Sequence, residues 1–223
     1  MKKTLIIAGF AALMGSSAMA DGIGVSMAAF DDNFLTVLRN GLDAKATELG
    51  VGIQIEDAAN DVAKQLDQIN NFIASGVSAI IVNPVDTSAT QAMSDAAAAA
   101  GVPLVYVNRQ PINVDTLPDN QAFVASNEVD SGTLETIEVC NQLKAAGKDK
   151  ASVYVMMGEL SNQAAVQRTA DIHDVMAAGK CSVELTIIDE QTANWSRDEA
   201  QNMMTNWLST GTPFDGVIAN NDE

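Results

Sequence analysis

Arg109 follows an apolar run, with Asn108 before it and Gln110 and Pro111 after it. A guanidinium in that place can hold two neighbouring hydroxyl oxygens with its planar fork, and amide or carboxylate groups accept from the same hydroxyls. Pro111 favours an extended backbone at Gln110, which helps aim the loop. Similar side chains recur after other apolar runs. Asp32 and Phe34 follow the first of them, and Gln167-Arg168 opens a helix after Met156-Met157-Gly158-Glu159. Trp195 follows Asp189-Glu190-Gln191, and Asn221 follows Val217-Ile218-Ala219. Electron-rich aromatic faces suit the C–H faces of a ring that carries hydroxyl groups. Any one of these residues alone fits a solvated loop or a core aromatic. Five loops with the same chemistry point to a shared site.

Signatures of enzymatic chemistry are missing. There is no phosphate-cradling Gly-rich loop, no nucleophile elbow and no His pair. Gly22-x-Gly24 lacks the third glycine of a dinucleotide fingerprint. His173, the only histidine, reads as a solvated residue on the polar side of a helix. Asp31-Asp32 fits a catalytic or calcium-binding pair, but helix capping just before Phe34 accounts for at least one of the two. An acid–base pair in a cleft would have only Asp31, Asp32 and Glu159 to draw on. Cys140 and Cys181 are the only cysteines. Two thiols make a poor metal site, and in an oxidising compartment such a pair is more often bridged than free. The sequence leaves the bridge open. Neither a metal nor a cofactor is expected.

The N-terminus bears on the compartment. Lys2-Lys3, an apolar run over 5–14 and small residues at Ala18 and Ala20 form a signal peptide over residues 1–20. Its apolar stretch is too short for the ~20 residues that span a bilayer, and no cysteine near the cut offers a lipid anchor. The net charge is −17. Losing Lys2 and Lys3 with the leader takes it to about −19. Such a surface repels phosphate backbones and anionic lipid heads, which excludes nucleic acid and membrane surfaces as natural partners. With 47% apolar residues the chain has ample material for a core.

Positioning these residues requires strands that end beside one another. Apolar strand-like runs fall at 22–27, 52–56, 79–82, 104–107, 122–125, 152–156, 183–188 and 216–219. Helical stripes lie between them: Phe34, Leu35, Leu38, Leu42 and Ala46 share one, and Val62, Leu66, Ile69 and Ile73 another. Gly50, Gly76, Gly101 and Gly179 mark helix ends. Strands apolar throughout imply a parallel sheet buried on both faces, so the class is α/β, doubly wound. After the fifth strand, Ser126-Asn127-Glu128 opens a fresh helix and a second α/β series begins. The expected organisation is an N-terminal lobe over 21–126 and a C-terminal lobe over 127–223. Both are expected to be incomplete, because the sequence stops where a strand has just ended.

At these residues the chain resembles the periplasmic sugar-binding proteins of the ribose- and galactose-binding type, which serve ABC importers. The strongest stretches are 34–41, 81–84, 107–110, 193–197 and 218–223, and 158–169 with 191–197 looks most like the inositol and rhizopine binders. The resemblance implies two parallel-sheet lobes joined by a hinge and a monomer that delivers a sugar or polyol to a membrane permease. A role as a chemoreceptor-linked sensor is an alternative, and a sugar-modifying enzyme a more distant one. A lactose-repressor-type regulator shares the lobes, but here a signal peptide stands in place of DNA-binding helices. The resemblance further implies that Phe34 and Trp195 sandwich the ligand ring, with Asp32, Arg109 and Asn221 as polar contacts. The family often has aspartate where this chain has Asn108, which removes a charged acceptor. Its second-lobe arginine aligns with Arg168 or with Val166, and Arg168 is taken here.

Overall fold

The computed structural model describes residues 22–222. The signal-peptide reading and Glu223 therefore lie outside the described residues. Among them, strands and helices alternate: β1 (Ile23–Met27), α1 (Asn33–Leu49), β2 (Ile53–Asp57), α2 (Val62–Ser75), β3 (Ala79–Val82), α3 (Thr90–Ala100), β4 (Leu104–Val107) and β5 (Gln121–Val124). The series then resumes with α4 (Glu128–Ala145), β6 (Lys150–Met157), α5 (Gln163–Ala177), β7 (Glu184–Thr192), α6 (Arg197–Ser209) and β8 (Gly216–Ala219). Short 3-10 turns at Thr87–Ala89 and Val114–Thr116 complete the set.

All pairings are parallel. The first sheet runs β2-β1-β3-β4-β5 and the second β7-β6-β8. The first order reverses direction between β1 and β3, and the crevice beyond the strand C-termini at such a reversal is where open α/β sheets take ligands. Residues 125–127 carry the chain from one sheet to the other, and Asn127 caps α4 by accepting from the N–H groups of Val129 and Asp130.

Each sheet is sealed on both faces, as continuous apolar strands require. In the first sheet, Ile69, Phe72, Ile80, Val82, Met93, Leu104 and Tyr106 pack on one side, and Val25, Met27, Leu35 and Val85 on the other. In the second, Cys140, Val153, Val155, Ile172 and Ile218 form one core, and Tyr154, Met203 and Trp207 the other. Cys140 and Cys181 are joined by a disulfide, with their Cα atoms 5.4 Å apart, inside the first of these second-sheet cores. Trp207 stacks on Tyr154 with ring centroids 4.4 Å apart.

Several expectations need correction. The strand expected to stop at residue 188 continues through Thr192, because the register with β6 shifts between Val153 and Tyr154. That bulge lets the polar residues follow in the strand, where Asp189 accepts the Trp207 indole N–H at 2.9 Å. Helix α5 starts at Gln163, so Gln167-Arg168 lies in its second turn rather than opening it. Gly179 closes the same helix as expected, adopting the left-handed conformation just after Ala177 and the cap residue Ala178. Gly50, Gly76 and Gly101 do close α1, α2 and α3 in the left-handed conformation. Phe34 leaves the buried stripe of α1: Leu35 and Ala46 are buried, whereas Phe34 is 53% exposed.

Candidate functional site

The C-terminal ends of both sheets face one cavity of about 200 Å³. Its walls include Asp32, Phe34, Asn108 and Arg109 from the first sheet's side and Arg168, Trp195 and Asn221 from the second. All seven residues singled out in the sequence are thus brought to one place. Val166, the alternative to Arg168, is half exposed and lies outside this lining.

Asp32 has two tasks. It caps α1, its Oδ1 accepting the Leu35 N–H at 2.6 Å, and it lines the cavity. The cap fixes the carboxylate and puts Phe34 in the first helical turn, above the core and toward the cavity. Asn108 follows β4 with φ +65, a conformation unusual outside glycine but tolerated by asparagine. That turn swings Arg109 inward. Arg109 is buried, and its Nη1 donates to the carbonyls of Pro84 (2.9 Å) and Val85 (3.1 Å). Burial lowers its guanidinium pKa, and the charges of Glu159 and Asp32 oppose that shift. Arg109 is therefore not a solvated loop side chain.

On the opposite wall, Arg168 donates from Nε to the buried Glu128 at 2.6 Å and from Nη1 to the Asn220 carbonyl. These bonds tie α5 to the start of α4 and the end of β8. Glu135, on α4, is pushed up to about 7 by burial, against the lowering effects of Arg168 and an Ala219 backbone hydrogen bond. Burial also raises Asp171, which Asp174, Glu128 and Asp130 reinforce, while a hydrogen bond from Gln167 acts the other way.

Trp195 is set by strain and by an empty space. Asn194 and Trp195 both have positive φ, +53 and +58, which for a bulky side chain needs enforcement by its surroundings. The enforcement is local. Thr192 Oγ1 accepts the Asn194 N–H, while Ser196 caps α6 through the Glu199 N–H. The indole then lies on Gly158: a Cβ there would stand 2.1 Å from the ring carbon Cη2 of Trp195. Gly158 is itself pinned, its N–H donating to Asn220 Oδ1 (2.9 Å) and its carbonyl accepting from Thr192 Oγ1 (2.6 Å).

Contacts cross the cleft around the cavity. Arg197 at the start of α6 reaches Asp31 (3.1 Å) and Asn33 (3.2 Å) beside α1. Thr87, after β3, donates through both its N–H and its hydroxyl to the Ser161 carbonyl before α5. Arg109 and Glu159 approach to 3.9 Å. The two halves are therefore in contact, with the cavity between them.

Some of the site was not singled out beforehand. Asn162, Ser126 and Asp222 also line the cavity. Asn162 stands at the N-cap position of α5, where capping would explain it, yet its side chain makes no capping bond and its Nδ2 donates to Glu159 instead. Gly158 carried a signal, since a glycine at a strand end often marks close approach of another group. The three carboxylates that an acid–base pair would need are each otherwise engaged: Asp31 with Arg197, Asp32 as a cap, and Glu159 with Asn162 and Arg109. His173 pairs with Glu190 on the surface, and no group of metal-ligating side chains exists among the described residues.

Two parallel sheets meeting at one cavity lined with polar and aromatic side chains define a solute-binding protein of the two-lobed kind. The chain belongs to the periplasmic binding protein domain family, whose model matches residues 23–223. A Rhizobium meliloti protein named for rhizopine binding is 61% identical over all of this chain, which covers 71% of that protein. The ribose import binding protein RbsB of Bacillus subtilis is 30% identical over 90% of the chain, which spans 62% of its length. A solved ABC transporter solute-binding protein from Bacillus halodurans, with bound myo-inositol, superimposes with a TM-score of 0.81. It is 33% identical and covers 93% of this chain and 69% of its own. These relatives are binding proteins, and this chain is a binding protein rather than an enzyme. Membership of the family implies an extracytoplasmic location.

Proposed function

We propose that this protein captures a neutral cyclic polyol or monosaccharide, myo-inositol or a close relative of it, and passes it to an ABC permease. The observation that carries the reading is the lining itself. Phe34 and Trp195 come from opposite sides, with guanidinium, amide and carboxylate groups between them. Rings supply flat apolar faces, and the polar groups match hydroxyls that both donate and accept. Binding works by closure. A ligand that touches both lobes, 21–126 and 127–223, is fully satisfied only when they meet, so it shifts the population toward the closed form that the permease would recognise. The net charge of −17 disfavours anionic ligands. Residues 1–20 act as the export signal, and the monomer works in the periplasm.

A thermal-shift screen of the full chain tests this. A ligand at 100-fold over its Kd adds ~2.7 kcal/mol of stability. Myo-inositol, ribose and galactose form the neutral set, and a sugar phosphate is the control. Stabilisation by at least one neutral member, without product formation, is expected. A shift with the phosphate alone, or conversion of any sugar, would overturn the reading.

A further inference from the structure

The hydrogen-bond polarity of one cavity wall is decided by a residue that does not line the cavity. Asn83, directly after β3, is fully buried. Its Oδ1 accepts the Ala28 N–H at 3.3 Å, and its Nδ2 donates to the Val107 carbonyl at 3.3 Å. Both partners are backbone groups whose roles cannot change, since an N–H only donates and a carbonyl only accepts. Turning the amide over would set donor against donor and acceptor against acceptor in a buried place, where an unsatisfied polar group is costly. The Asn83 amide has one orientation.

That orientation propagates. Asn83 Nδ2 also donates to Asn108 Oδ1 at 3.1 Å. The Asn108 backbone is held separately, its N–H donating to the Val124 carbonyl at 3.0 Å. With Oδ1 committed to Asn83, Asn108 has its amide nitrogen left over, and that Nδ2 has no acceptor among the described residues. Asn108 lines the cavity. We infer that Asn83 sets Asn108 as a hydrogen-bond donor toward the ligand, so the ligand must present a lone pair at that point.

A specificity rule follows, resting on the polyol reading above. A hydroxyl oxygen satisfies Asn108 by accepting. An ammonium, which has donors only, does not. Aspartate in the same place would still accept from Asn83 with one oxygen but would offer the other to the cavity as an acceptor, reversing the rule. Asn83 is thus a positioning residue for selectivity, acting through Asn108.

The test is calorimetry on the full chain with myo-inositol and the set of aminodeoxy-inositols in which one hydroxyl at a time is replaced by an amine, at a pH where the amine is charged. Asn108→Asp should raise the preference for the amine over the hydroxyl at least about 10-fold for one positional isomer and leave the others nearly unchanged, a difference of about 1.4 kcal/mol. Asn83→Asp, where it folds, should shift the same isomer in the same direction, because its carboxylate would turn the Asn108 amide over. An unchanged preference for every isomer in Asn108→Asp, with wild-type protein binding myo-inositol, would overturn this inference and leave the polyol reading standing. Wild-type protein that binds none of these probes would overturn both.

Discussion

Gly158→Ala isolates the seat of Trp195. The new methyl carbon would stand 2.1, 2.2 and 2.3 Å from Cη2, Cζ2 and Cζ3 of the indole, where ordinary contact is 3.4–4 Å. The ring must therefore move by more than about 1 Å, and a gap of roughly that size forfeits about a quarter to a half of the attraction at each contact it opens. Gly158 does not have positive φ, so alanine brings no backbone strain of its own, and the bonds from Gly158 to Asn220 and Thr192 use only backbone atoms of the glycine. The indole is wedged between this new methyl and the cavity, so it moves toward the ligand. Losing the aromatic contact alone costs about 0.5–1.5 kcal/mol. Crowding the ligand adds to that, and the expected total is a roughly 10- to 100-fold loss of affinity. Titration calorimetry reads the affinity, and tryptophan emission reads the ring, with buried Trp207 as a constant background. Trp195→Phe in the Gly158→Ala background should recover part of the loss, because the smaller ring clears the methyl. Wild-type affinity with unaltered emission in Gly158→Ala would refute the shelf and with it the place of Trp195 in the site.

Arg109→Ala should lower polyol affinity roughly 10- to 150-fold, the value of one hydrogen bond to a charged donor, as read by calorimetry. It should also lower the melting temperature without ligand, because the Pro84 and Val85 carbonyls lose their donor, and Arg109→Lys should recover only part of either effect. Replacing Cys140 and Cys181 by serine opens a loop with a sequence separation of 41 and should cost about 4 kcal/mol in denaturant titrations, while two free thiols in the native protein by non-reducing mass spectrometry would contradict the bridge. Glu135 binds a proton more tightly folded than unfolded, its pKa rising from 4.5 to about 7. Stability from this group is therefore present below 4.5 and is lost as pH rises through about 7. Glu135→Gln should raise the melting temperature relative to wild type at about pH 8 but not at about pH 4, and equal differences at both would show that Glu135 is not burdened by burial.

The alternation of apolar runs made the architecture legible, because a parallel sheet buried on both faces demands such runs and helices must lie between them. Bounds failed where tertiary structure rescued polar residues. Strand β7 runs on through Asp189 because Trp207, eighteen positions later, supplies a donor. The site's directly facing residues were legible for a related reason: Asp32, Arg109, Trp195 and Asn221 all follow strand ends, where a doubly wound fold collects its loops. Phe34 was misplaced on a core stripe because helical periodicity cannot tell which part of a stripe projects past the end of the sheet. What holds these residues stayed hidden. Asn83 meets Asn108 across β3 and β4, Gly158 meets Trp195 across β6 and β7, and Arg168 meets Glu128 forty positions away. Each such pairing depends on strand order and close approach, which residue spacing does not contain.

The central claim is capture by closure, and the distance across the cleft tests it most directly. Asp43 on α1 and Asn202 on α6 are exposed, and no other cysteine is free among the described residues, so labels on cysteines introduced at both positions report one distance by dipolar spectroscopy. Without ligand, two populations are expected, a longer and a shorter. Saturating myo-inositol should draw the distribution to the shorter distance in the otherwise wild-type protein and fail to do so in Arg109→Ala at the same concentration. A distribution that is identical with and without ligand, under conditions where calorimetry shows the site filled, would contradict the account.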